Sequence, residues 1–181
     1  VRRAAAAIAD RGLVCELLIR PPQAAAAQAL IDELPEAEFV VDHAAKPGVA
    51  SGELEPWSAA IRALASSAHV SCKVSGLITE ADWGAWRTPQ IAPYVDVVAD
   101  AFGEDRLLFG SDWPVCLLAG AYAEVLGVAR DTLSALDTTK VFAANARRIY
   151  RLEEPAGSAD RGSPAARRGP RDQAGGDCDV R

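Results

Sequence analysis

Short apolar runs alternate with longer helix-like segments along this chain. The runs LVCELLIR (13–20), FVVDH (39–43), HVSCKVS (69–75) and RLLFGSD (106–112) are rich in Val, Ile, Leu and Phe, and Gly or Pro residues bound them. That composition suits β-strands. QAAAAQALIDEL (23–34), PWSAAIRALASS (56–67), TPQIAPYVDVVADAFG (88–103) and AYAEVLGVARDTLSALD (121–137) each follow one strand as a helix. Thr88 is the expected N-cap of the third of these, with Pro89 in the first helical position. RRAAAAIADRG (2–12) reads as an opening helix with Gly12 at its C-terminal end, and TTKVFAANARRIYRL (138–152) as a closing one.

Strands that alternate with helices of this length build a parallel sheet. Two α/β architectures accept the pattern, an open doubly wound sheet and a (β/α)8 barrel, and four units are half of a barrel. From Glu153 the chain contains no Leu, Ile, Phe, Tyr or Trp and is dense in Gly, Pro, Arg and Asp. Nothing there offsets the entropy of ordering, so 153–181 is expected to be a disordered low-complexity tail or the product of a shifted frame, and 1–152 the folded domain.

Composition narrows the function. The 181 residues are 50% hydrophobic and 24% charged, with a net charge of −6. An acidic chain without a clustered basic surface argues against nucleic acid and anionic membranes as partners. No apolar run approaches the roughly 20 residues of a membrane span, and Asp10 and Arg11 interrupt the N-terminal alanine run before it reads as a secretory signal. Cys15, Cys72, Cys116 and Cys178 are scattered, which fits a reducing cytoplasm better than a disulfide framework. The chain begins with Val1 and has no methionine, so it is expected to be a piece of a longer protein.

Candidate chemistry gathers at the strand ends, where parallel α/β folds bind their ligands. Strand alternation puts Phe39, Val41 and His43 on one face of the second run, with Lys46 in the loop that follows. Ser71, Lys73 and Ser75 share a face of the third, opposite Val70, Cys72 and Val74. Asp112 ends the fourth, followed by Trp113, and Glu16 and Arg20 share a face of the first. Each has a plainer reading. A lone strand-end histidine is more often structural, Lys73 could simply pair with Glu16, and Asp112 could cap a turn. A lysine and an aspartate inside apolar runs are nonetheless costly to bury without partners, which favours a wet barrel mouth. His69, at the opposite end of its strand, reads as structural, and Trp83 and Trp86 as loop packing.

FVVDHAAKPG, VSCKVSGLITEADW, RLLFGSDWPVC and NARRIYRL, in that order, resemble the amidohydrolase-related family of lactonases over 1–152. The resemblance implies a (β/α)8 barrel of the metal-dependent hydrolase type, of which this chain supplies the last four units and a C-terminal helix. It implies a hydrolase that opens a sugar lactone, in carbohydrate catabolism; the cysteine pattern places it in the cytoplasm. Asp112 would be the general base that activates water. His43 would polarise the carbonyl, or with Asp112 ligate a divalent metal such as zinc in metal-bearing relatives. Lys46, Lys73, Arg20 and Trp113 would bind substrate. The HxH pair of the family's first strand is absent. A zinc-dependent decarboxylase and a non-catalytic α/β module are the alternatives, and a half-barrel would expose strand edges that invite association.

Overall fold

The computed structural model describes residues 1–152, so the tail expected over 153–181 lies outside the described residues. The chain opens with helix α1 (Arg2–Ala9) and strand β1 (Cys15–Leu17). Helix α2 (Ala24–Glu33), strand β2 (Phe39–Val41), helix α3 (Trp57–Ala65), strand β3 (Val70–Val74) and helix α4 (Thr88–Phe102) follow. Strand β4 (Leu107–Phe109), helix α5 (Tyr122–Thr132), a π-turn (Lys140–Ala144) and helix α6 (Asn145–Ile149) complete it. The four strands pair in parallel in the order β1-β2-β3-β4. This sequential order decides between the two candidate architectures. A doubly wound sheet reverses its strand order at a switch point, whereas a barrel adds each unit beside the last.

Sheet alternation explains the two layers. Phe39, Val41, Val70, Cys72, Val74 and Leu107 join the helices in the main core, together with Ile31, Ile61, Leu64, Val98 and Trp57. Val40 and Leu108 face the other way and meet Ile149, with Val14, Ala146 and Tyr150 around them. Helix α6 thus covers the amino-terminal part of the inner face.

Two expectations need correction. The ladder is shorter than the apolar run at every strand: β2 stops just before residues 43–46 turn left-handed, and Asp112, beyond β4, is left-handed too. The N-cap of α4 is Arg87, one residue before Thr88. The Gln90 side chain accepts from the Arg87 backbone N–H at 2.7 Å, which satisfies the donor of the N-cap residue itself. Gly12 does take the left-handed conformation (φ +65°) expected beyond α1.

The amino-terminal end of the sheet is closed by side chains that donate to backbone carbonyls. Arg106 Nη1 reaches Ala65 O, Ser67 O and Val70 O at 2.9, 3.0 and 3.0 Å. Asn145 Nδ2 donates to Glu104 O and Leu107 O at 2.7 and 2.8 Å. Arg148 and Arg151 bind the Asp105 and Gly12 carbonyls. His69 lies at this end, its ring tilted against Phe39 at 6.1 Å.

Candidate active site

Immediately after β2 the chain turns into left-handed backbone and stays there for four residues, His43, Ala44, Ala45 and Lys46, with φ of 49°, 48°, 55° and 51°. None is glycine, and each such residue costs roughly 1–2 kcal/mol. The turn persists because its surroundings hold it. Ala44 and Ala45 are buried, Trp57 Nε1 of α3 donates to Ala44 O at 2.6 Å, and Lys46 N donates to His43 O at 2.8 Å. Strain of this kind, fixed by packing, is typical of positions where a side chain must point somewhere the strand would not send it.

His43 shows the effect. Alternation places it with Phe39 and Val41, whose side chains lie in the helix-side core. The left-handed turn redirects it, and Asp42 rather than His43 continues the inner face from Val40. His43 Nδ1 lies 2.8 Å from Ser75 Oγ, at the end of β3, and His43 Nε2 lies 3.5 Å from Asp112 Oδ1, beyond β4. Asp112 is also in left-handed backbone (φ 57°), which aspartate tolerates better than most residues. Thr79 Oγ1, which donates to Gly76 O at 2.8 Å, lies 3.3 Å from Asp112 Oδ2. A methyl at Gly76 would stand 2.9 Å from the His43 ring, so glycine there leaves the imidazole its space.

Around this dyad lie two charged groups. At the mouth, Glu80 is bridged by Lys46 Nζ at 2.7 Å and by Arg20 Nη1 and Nη2 at 3.1 and 3.4 Å. On the inner face, Lys73 Nζ meets Asp42 Oδ1 at 2.7 Å and Glu16 Oε1 at 3.0 Å, reaching Glu16 across the intervening β2. The Tyr150 hydroxyl also donates to Glu16. Burial works against the Lys73 ammonium, but the Asp42 and Glu16 carboxylates outweigh it and hold its pKa above the ordinary lysine value. Burial likewise opposes ionisation of Glu16, and the bonds from Tyr150 and Lys73 leave its pKa below the usual carboxylate range. Burial, then Glu16, push Tyr150 up to about 12.

The structure therefore brings His43 and Asp112 together, and Lys46 with Arg20 through Glu80. It places Lys73 among carboxylates. Trp113 is 65% exposed beside Asp112, its backbone N–H donating to Ser111 Oγ at 3.2 Å. Trp86 packs against the core and donates to Ala119 O at 2.8 Å, and Trp83, half exposed, donates to Thr79 O at 2.8 Å. Sequence reasoning overlooked Asp42, Thr79, Glu80 and Tyr150. Asp42 was findable as the residue two after Val40 on the inner face. Glu80 and Tyr150 carry no local signal, since their partners lie 34 to 134 residues away.

An imidazole and a carboxylate are donors that suit zinc, yet no group of three or more His, Cys, Asp or Glu among the described residues is arranged to hold a metal ion. Catalytic zinc normally keeps three protein ligands. The described residues of this chain alone do not make that set. Cys116 adds no thiolate, because burial and the neighbouring Asp112 raise its pKa. Cys15, Cys72 and Cys116 are all free thiols, and no helix among the described residues is long and apolar enough to cross a membrane.

Comparison with known proteins bears on this geometry. The family model described as amidohydrolase matches residues 1–152. An L-fucono-1,5-lactonase of Burkholderia multivorans is 46% identical over 131 residues, 65% of this chain and 44% of that protein. Another L-fucono-1,5-lactonase, from Burkholderia ambifaria, is 38% identical over 152 residues, 80% of this chain and 52% of the relative. The chain spans about half the length of the curated relatives it matches. Among solved structures, an amidohydrolase from Burkholderia multivorans with bound zinc superposes with a TM-score of 0.80 at 38% identity, covering 84% of this chain and 57% of that one.

Proposed function

This chain belongs to the amidohydrolase family, and from that premise we propose that the protein carrying it hydrolyses a sugar lactone, with Asp112 and His43 as the reacting pair. The observation that supports the reading is their convergence. Two residues 69 positions apart, each in left-handed backbone, place Nε2 and Oδ1 3.5 Å apart at the carboxyl ends of β2 and β4.

In this reading the Asp112 carboxylate takes a proton from water as the water oxygen bonds to the lactone carbonyl carbon. The carbonyl π electrons move onto its oxygen, where the His43 Nε2–H donates. Ser75 supports that tautomer when its hydroxyl donates to Nδ1 at 2.8 Å. The tetrahedral intermediate then collapses, the bond from the former carbonyl carbon to the ring oxygen breaks, and protonated Asp112 returns its proton to the leaving alkoxide. The product is an open-chain hydroxy acid. Lys46 and Arg20 bind substrate at the mouth and Trp113 covers its apolar face, while Lys73 contacts it from below through the charge it shares with Asp42 and Glu16. Were a divalent ion such as zinc bound, His43 and Asp112 would be the donors this chain offers it, and the ion would supply Lewis acidity.

The proposal is tested by assaying the full-length protein on aldonolactones, L-fucono-1,5-lactone among them, beside an Asp112→Asn variant that still folds. Turnover lost in the variant supports it. Equal turnover by both removes Asp112 from the reaction, and no turnover of any lactone by the wild type favours the non-catalytic module.

A further inference from the structure

The mouth of the sheet is rich in cations, yet Lys46, Arg20 and Lys73, the cations the described residues place there, are each paired with carboxylates. Lys46 and Arg20 both bind Glu80, and Lys73 binds Asp42 and Glu16. With Asp112, three cations stand among four carboxylates at the end of the sheet where the substrate binds. Glu80 holds the central position at the entrance. Its side chain is only 12% exposed, the loops after β1 and β2 bring a cation to it, and it follows Thr79, whose hydroxyl oxygen lies 3.3 Å from Asp112.

We infer that Glu80 is a specificity-determining residue that selects uncharged, polyhydroxylated lactones over lactones bearing a carboxylate. The inference rests on the lactonase reading above and goes further, assigning the charge class of the substrate to one side chain. A substrate hydroxyl both donates and accepts, so it inserts beside Glu80 as a donor and beside Lys46 or Arg20 as an acceptor. A substrate carboxylate only accepts. It would compete with Glu80 for the same two cations and meet its negative charge at close range, which is how like charge rejects a wrong ligand.

Glu80→Gln keeps the shape and removes the charge. On the full-length protein we expect kcat/KM for L-fucono-1,5-lactone to fall about tenfold and that for 2-pyrone-4,6-dicarboxylate to rise about tenfold, so their ratio drops on the order of a hundredfold. Arg20→Gln, at an exposed position, approaches from the other side and raises the same ratio. Calorimetric titration with citrate, an unreactive tricarboxylate, reads the charge preference without turnover, and Glu80→Gln is expected to bind citrate at least tenfold more tightly. If lactones are turned over and the ratio does not move in either variant, the inference falls while the lactonase reading stands. If no lactone is turned over but citrate binding tightens, charge selection by Glu80 stands and the lactonase reading falls. Citrate binding unchanged in Glu80→Gln, with no turnover, overturns the inference as well.

Discussion

The two ends of this parallel sheet handle polar side chains in opposite ways. At the amino-terminal end, Arg106, Asn145, Arg148 and Arg151 donate to backbone carbonyls. Their partners are peptide groups, and of the four only Arg151 (φ 53°) stands in left-handed backbone. At the carboxyl end, His43, Asp112, Lys46, Lys73 and Glu80 face one another rather than the backbone, and the chain enters left-handed geometry to put them there. Side chains that satisfy carbonyls stabilise the fold. Side chains that face each other across a mouth, at a cost in backbone energy, are the ones the proposed function assigns to a substrate.

The comparison breaks most readily at the amino-terminal end. Arg106→Ala removes a donor shared by five backbone carbonyls, of Ala65, Ser67, Val70, Ala101 and Phe102, and is expected to cost about 3 kcal/mol of stability. Thermal unfolding should show it, while turnover per folded molecule stays unchanged at a temperature where the variant is folded. A lowered kcat in the folded fraction would mean that the two ends are coupled.

Backbone strain at the mouth is tested by a pair of alanines. Ala27→Gly, in the buried interior of α2, is expected to cost about 1.5–2 kcal/mol from lost helix propensity and a lost methyl contact. Ala45→Gly removes a methyl that is just as buried, but its φ of 55° suits glycine, so denaturant unfolding should place it within about 0.5 kcal/mol of the wild type. Equal losses at both positions would show that the turn is not strained.

Much of this was legible in the sequence, and the limits have physical causes. The alternation of apolar runs and helices carried the four units and their parallel pairing, because burial on both sides of a sheet leaves a strong local mark. Phe39 and Val41 were placed correctly on one face. His43 was not, since alternation ends where φ turns positive, and nothing in DHAAK announces four left-handed residues without a glycine. Lys73 was read as paired with Glu16 or free for substrate, and Asp42 is the partner that reading lacked. Tyr150 reaches Glu16 across nearly the whole described chain, a contact no spacing rule foresees.

A smaller effect concerns how the imidazole is held. Ser75→Ala removes the partner of His43 Nδ1, and kcat/KM should fall roughly tenfold, the worth of a hydrogen bond of about 1.4 kcal/mol. Ser75→Thr restores the hydroxyl and most of the rate. A loss in KM alone, with kcat intact, would make Ser75 a substrate contact instead.

The smallest concerns pH. Glu16 ionises more readily in the folded chain than its ordinary value of 4.5, so its contribution is present above that pH and is lost as pH falls through the lower folded value. Lys73 is raised above 10.5, so its contribution is present below that pH and is lost as pH rises through the folded value. Glu16→Gln should therefore flatten the acid arm of the stability profile. At a partly exposed pair the change stays below about 1 kcal/mol. An unchanged acid arm would assign acid sensitivity to other carboxylates.

The central claim is that the carboxyl end of the sheet performs the chemistry through Asp112. It is met most directly by steady-state hydrolysis of L-fucono-1,5-lactone by the full-length protein and its Asp112→Asn variant, with a thermal melt of each. The account predicts a fall in kcat/KM of about a thousandfold, within the range of general acid–base catalysis, and melting temperatures that agree within about two degrees, because asparagine also tolerates left-handed backbone. Turnover retained by a folded Asp112→Asn variant would contradict it.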